Sequence, residues 1–242
     1  MKRIKLTVAY DGSDYYGFQR LNKLPTIQNE LEKGLKNMTS IPHFVFGASR
    51  TDKGVHAKAQ VVHFDTKITE ITTDTWIKGL NKRLPSDIRV VKAEVVSENF
   101  HARHSVRSKK YEYRISKNES TPFTARYEVY YENLNWDIIK QVYKQLEGTH
   151  DFVGFAKYVE GKPTIKNLYQ VNLRETKNHY IFTFHGDNFL RYMIRSMMGT
   201  LIEMAIGRKP IDTIEKIFIT NNRKLAGKTA PAKGLTLVKM FY

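Results

Sequence analysis

Ile4, Leu6, Val8 and Tyr10 alternate with Lys5, Thr7 and Ala9, the two-residue period of a half-buried strand. Ile27, Leu31 and Leu35 then recur every fourth residue after Pro25-Thr26, which predicts a helix with Thr26 as its cap. Short apolar runs at 44–46 and 60–64 predict two strands with a glycine-punctuated segment between them. Trp76, Ile77, Leu80 and Leu84 predict a second helix, stopped by Pro85-Ser86-Asp87, and Ile88–Val96 reads as a strand again. The resulting order, β-α-β-β-α-β, is that of the ferredoxin-like split βαβ unit.

The second half repeats these elements. Tyr111, Tyr113 and Ile115 alternate with charged neighbours. A helix is expected from Trp136 to about Glu147, with Gly148 as a left-handed cap. Strands at 169–173 and 180–184 are joined at Lys177-Asn178. A long helix over 190–206, with Asn188 as candidate cap and Gly207 after it, precedes a short helix near 214–218 and a final strand over 235–242. The expected fold is α+β, with an N-terminal half over 1–105 and a C-terminal half over 106–242.

Charge sharpens this picture. The 242 residues hold 40 Lys and Arg against 24 Asp and Glu, a formal net charge of +16. The excess is spread along the chain: residues 1–121 hold 22 basic and 13 acidic groups, and residues 122–242 hold 18 and 11. A basic surface on both halves points to a polyanionic partner, nucleic acid being the commonest. The chain has no cysteine, which removes disulfides, thiolate nucleophiles and Cys-ligated zinc. No stretch approaches the roughly 18 apolar residues of a membrane span. The basic start, Met1-Lys2-Arg3, leads into an alternating strand pattern and not a leader's apolar block. A cytoplasmic protein with no membrane partner is the expectation.

No phosphate-loop or dinucleotide fingerprint and no H-E-x-x-H is present, and spacing puts no carboxylate with His101 and His104, so no metal is expected. The densest chemical signal is Arg50-Thr51-Asp52-Lys53-Gly54-Val55-His56-Ala57. Cations on either side of a loop carboxylate favour its ionised form. Such a group serves as nucleophile or base on a nucleic acid drawn in by the surrounding charge. A loop aspartate also commonly caps a turn, and spacing alone leaves both uses open. A second signal lies at 103–117, six basic residues against one acid, interleaved with Tyr111 and Tyr113. Arg103, Arg107, Lys109 and Lys110 are candidates for RNA-backbone contacts, and an aromatic face there could stack on an unpaired base. A third lies at Gly186 to Arg195, where Arg195, one turn into the long helix, needs an anion if buried.

Taken together, these segments resemble the tRNA pseudouridine synthase A family. The resemblance is carried by Tyr10-Asp11-Gly12-Ser13-x-Tyr15-x-Gly17-Phe18-Gln19, Arg50-Thr51-Asp52-x-Gly54-Val55-His56-Ala57 and Leu80-Asn81-x-x-Leu84-Pro85-x-Asp87-Ile88. It continues through Phe100-His101-Ala102-Arg103, Lys110-Tyr111-x-Tyr113 and His150-Asp151-Phe152. Phe189-Leu190-x-x-Met193-Ile194-Arg195 and Ala230-Pro231-Ala232-x-Gly234-Leu235-x-Leu237 complete it, in order, over essentially the whole chain.

The resemblance implies two ferredoxin-like halves with antiparallel sheets and a central catalytic cleft. It also implies isomerisation of uridine to pseudouridine at positions 38, 39 and 40 in the tRNA anticodon stem-loop, by a homodimer. Asp52 matches the catalytic aspartate and Tyr111 the tyrosine that stacks on the target base. Arg50 matches the arginine that helps displace that base, Arg195 the salt-bridge partner of the aspartate, and Leu235 an apolar residue of the pocket. Ser49 and Lys53 depart from the glycine and the small residue usual around Arg-Thr-Asp, and Lys166 stands where arginine is common, a point charge in place of a bidentate fork.

The implied reaction breaks an N-glycosidic bond, turns the uracil and rejoins it through carbon, with no net change of atoms or electrons, so no cofactor is expected. Two other readings share these features: a non-catalytic RNA-binding module, since ferredoxin-like sheets with exposed aromatics bind RNA, and a sibling synthase acting at other uridines.

Overall fold

The computed structural model describes residues 1–158 and 160–242. The chain divides into two compact units, Met1–Arg107 with Thr236–Tyr242, and Ser108–Leu235.

In the first unit, β1 (Lys2–Tyr10) buries every second side chain, Ile4, Leu6, Val8 and Tyr10, as its alternation predicts. Helix α1 (Ile27–Thr39) starts where Thr26 Oγ1 accepts the Asn29 amide at 3.3 Å, and it buries Ile27, Leu31 and Leu35. It ends at Ser40 in the left-handed conformation, φ 61°. Strands β2 (Phe46–Gly47) and β3 (His56–Thr66) follow, then α2 (Thr73–Asn81) and β4 (Ile88–Val96). Asn81 clips the end of α2 to β4: its side chain accepts from the Val90 amide at 2.8 Å and donates to the Val90 carbonyl at 2.9 Å. The antiparallel strand order is β4-β1-β3, with β2 on the far side of β3. This is the split βαβ arrangement. The helices cover one face, where Trp76 meets Phe64 edge-on at 5.2 Å; full burial of each such side chain contributes about 1.5–3 kcal/mol. The run at 44–46 is less buried than a core strand, because Phe44 and Phe46 both stand exposed beside buried Val45.

The second unit runs β5 (Ser108–Ser116), β6 (Val129–Tyr130), α3 (Trp136–Val142), β7 (Gly148–Asp151), β8 (Ile165–Glu175), β9 (His179–Gly186), α4 (Met193–Ala205) and α5 (Thr213–Thr220). Its antiparallel order is β5-β9-β8-β7, with β6 parallel to β5. Two expectations change here. The helix from Trp136 stops at Val142, and Tyr143–Leu146 tighten to a 3-10 turn. The Glu147 carboxylate accepts the Val171 amide of β8 at 2.7 Å, which draws the chain into β7, and Gly148, at φ 107°, opens that strand instead of capping a helix. Asn188 does not cap α4 either. Its Oδ1 accepts from the Phe189 amide and from Lys109 Nζ, both at 2.9 Å. The residue before α4 is Tyr192, in the left-handed conformation at φ 65° and with no side-chain cap.

The sequence pattern places the last strand, β10 (Leu235–Phe241), at the end of the second half. From Thr236 onward it belongs instead to the first unit, pairing parallel with β3 through Thr236 opposite His56 and Leu237 opposite Ala57. Chain order cannot show this, because a strand's partner is set by register and not by distance along the sequence. Among the described residues, no helix is long and apolar enough to cross a membrane.

Candidate active site

The Asp52 loop joins β2 to β3 and lies on the segment that follows β1. Gln60, fully buried in β3, donates to the Ser49 carbonyl at 2.8 Å. The Tyr10 hydroxyl and Thr51 Oγ1 are 2.7 Å apart. The Thr51 carbonyl accepts from the Phe18 amide at 3.1 Å, the Tyr15 carbonyl accepts from the Gly54 amide at 3.4 Å, and the Asp52 carbonyl closes a turn with the Val55 amide at 3.1 Å. These bonds need two bare backbones. Gly17 has φ 98°, and a β-carbon there would stand 2.6 Å from the Thr51 carbonyl oxygen, while one on Gly12 would run into the Val55 carbonyl. The glycines of the first motif therefore exist to let the aspartate loop approach.

A third segment locks the first. The Tyr15 hydroxyl donates to Asp87 Oδ1 at 2.7 Å, and the Asp11 amide donates to the Asp87 carbonyl at 3.0 Å. Burial, and then the Asp87 carboxylate, push the Tyr15 phenol well up, so it stays a donor. The Gly12 amide stands 3.1 Å from His56 Nδ1 and donates to it. Asp11 Oδ1 also lies 3.1 Å from His56 Nδ1, but it is already engaged by the Ser13 amide at 2.9 Å. Three sequence-distant motifs, the Asp52 loop among them, are thus tied together by hydrogen bonds.

Asp52 itself is half-buried, and Arg50 and Lys53 on either side are exposed. The Lys53 ammonium sits 3.8 Å from the centroid of the exposed Tyr16 ring. Sequence reading did not single out Tyr16, whose only signal was an unassigned position between Tyr15 and Gly17.

In the second unit Tyr111 lies on β5, 6% exposed, with Phe189 edge-on at 5.1 Å. Tyr113 is a core residue: it is fully buried, and its hydroxyl donates to the Pro231 carbonyl at 2.9 Å. A β-carbon on Gly234 would stand 2.8 Å from its ring. Arg195 Nε donates to the Ala230 carbonyl at 2.8 Å, and the Ala230 amide returns a bond to the Arg195 carbonyl at 2.9 Å. The Arg195 guanidinium lies 5.4 Å from the Tyr192 ring centroid. The segment 230–235 therefore holds Arg195 and Tyr113 together and leads into buried Leu235.

The backbone-contact candidates divide. Arg103 and Arg107 are exposed and Lys110 is half-exposed. Lys109 is buried with its ammonium on Asn188 Oδ1, so its charge is spent inside the unit and does not face outward. Lys166 donates to the carbonyls of Pro163 and Ile165, at 2.8 and 2.9 Å. His101 Nδ1 accepts from the amides of Arg103 and His104, which makes it a loop cap. Among the described residues, no group of three His, Cys, Asp or Glu side chains could hold a metal ion. The His150-Asp151-Phe152 motif is packing: His150 stacks on Phe218 at 4.2 Å, and Asp151 Oδ1 accepts from the Val153 amide.

A family model described as tRNA pseudouridine synthase matches residues 6–105 and 142–242. The tRNA pseudouridine synthase A of Onion yellows phytoplasma (strain OY-M) is 40% identical over 238 residues, 98% of each chain. The protein of that name from Borrelia turicatae (strain 91E135) is 38% identical over 245 residues, 100% of each. The one from Bacillus pumilus (strain SAFR-032) is 39% identical over 245 residues, 99% of each.

Proposed function

The chain belongs to the tRNA pseudouridine synthase family, isomerases of uridine in RNA, and on that premise we propose that it acts at positions 38, 39 and 40 of the tRNA anticodon stem-loop, as a cytoplasmic homodimer, with Asp52 as its catalytic carboxylate. The observation that supports this reading is the anchoring of the Thr51-Asp52 loop by the segment from Tyr10 to Phe18, itself locked by Asp87, with exposed Arg50 and Lys53 beside it. A protein that only bound RNA would gain nothing from holding a negative charge so firmly among cations.

In the reaction, the bond from ribose C1′ to uracil N1 breaks, the base turns, and C1′ bonds to C5. The hydrogen on C5 leaves as a proton and N1 gains one, so atoms and electrons balance. Asp52 supplies the carboxylate at the sugar. Tyr111 supplies the surface on which the detached uracil stacks, worth about 1–3 kcal/mol per base, against the few kcal/mol that flipping costs. Arg50 takes part in displacing the base, and Arg195 and Leu235 keep the roles that the family resemblance gives them. Arg103, Arg107 and Lys110 remain candidates for contacts to the RNA backbone.

Tritium release from tRNA labelled at uracil C5 tests the proposal. Wild-type protein releases tritium, and Asp52→Asn binds tRNA with near wild-type affinity but releases none. Substantial release by that variant removes Asp52 from its role, and modification mapped elsewhere in the tRNA replaces the assignment to positions 38–40.

A further inference from the structure

We propose that Tyr16 and Lys53 form a phosphate clamp for the tRNA strand beside Asp52, a binding subsite separate from the reacting groups. The inference rests on the reading of Asp52 as the catalytic carboxylate. Both residues are exposed, and the Lys53 ammonium stands 3.8 Å from the Tyr16 ring centroid. That is well inside the roughly 6 Å range of a cation–π contact. A lysine on a loop normally samples many rotamers; contact with the ring favours those that keep the ammonium over it.

The backbone fixes that place. The bonds from Phe18 to Thr51 and from Gly54 to Tyr15 bracket Tyr16 and Lys53 on facing segments, and Gly17 allows the close approach. An exposed ammonium beside that ring, next to the group that must meet a ribose, is placed for an anion that accompanies every ribose in RNA, the phosphodiester. The charge remains on the outer surface, so binding to it displaces counterions rather than protein contacts.

The experiment measures tRNA affinity of the full chain against KCl concentration. Each phosphate contact contributes about 0.7 to the slope of log K on log salt for single strands and about 0.9 for duplex. Lys53→Ala should weaken binding severalfold and flatten the slope by about that amount, with the loss read in KM for tRNA rather than in the rate at saturation. Lys53→Arg should keep the wild-type slope. Tyr16→Leu should keep the slope and weaken binding about two- to fivefold, and Tyr16→Phe should restore it. An unchanged slope in Lys53→Ala overturns the clamp, and so does a fall in saturated rate at wild-type affinity, which would make Lys53 a modulator of Asp52. Wild-type protein that forms no pseudouridine overturns the functional reading instead, and the slopes still decide the clamp.

Discussion

The backbone amide of Gly12 donates to Nδ1 of His56 at 3.1 Å, across the junction between the segment after β1 and the start of β3. That bond, with the Val55 carbonyl filling the space beside Gly12, seats the aspartate loop on rigid strands and not on a free hairpin. Preorganisation of this kind keeps a catalytic group in place without further ordering when substrate arrives.

Gly12→Ala should therefore damage stability and activity together. The added carbon meets a backbone carbonyl, which cannot swing aside as a side chain would, and overpacking of this sort costs about 1–3 kcal/mol. For a chain of this size that is a fall in melting temperature of several degrees at about 2–4 °C per kcal/mol. Thermal unfolding and tritium release on the same preparation check it; a variant with wild-type values in both would show that the loop does not depend on this contact.

Tyr111→Ala should lower turnover about 10- to 100-fold, the equivalent of losing one base-stacking contact. Tyr111→Phe keeps the ring and should stay close to wild type. Single-turnover assays on both variants, with unfolding curves to show that each is folded at the assay temperature, separate a lost platform from a lost fold. Wild-type turnover in the alanine variant would withdraw the stacking role.

His63 predicts an acid limb in stability. Burial, and then the neighbouring His101, push its pKa down to about 4, and its Nδ1 accepts from the Ala102 amide at 3.2 Å. The unfolded chain takes up a proton near pH 6.5 while the folded one stays neutral until about pH 4. Stability should be full above about 6.5 and decline as pH falls through that window. His101, lowered by burial and then by His104, adds in the same direction. His63→Gln should lose less stability than wild type between pH 7.5 and pH 5 in urea titrations; equal losses would assign the acid limb to other groups.

Much of the architecture was legible in the chain itself, because periodicity records which side of each element is buried. The alternation in β1 and the fourfold spacing after Thr26 gave strand and helix with the cap in its observed place. A carboxylate between cations marked Asp52 as a candidate, though spacing left a turn-capping use open. What local pattern could not give was any feature set by a partner far along the chain. Lys109 and Lys110 read alike in a basic stretch, yet Asn188 claims one and leaves the other half-exposed. Asn188 looked like a helix cap, yet its oxygen was already committed and the turn before α4 fell to a left-handed Tyr192. Tyr16 carried no distinguishing signal until the fold laid it against Lys53. Short-range sequence fixes conformational preference and the side on which apolar groups lie. Which polar atom answers which is decided by tertiary approach, because a hydrogen bond depends on distances of a few ångströms that chain order does not record.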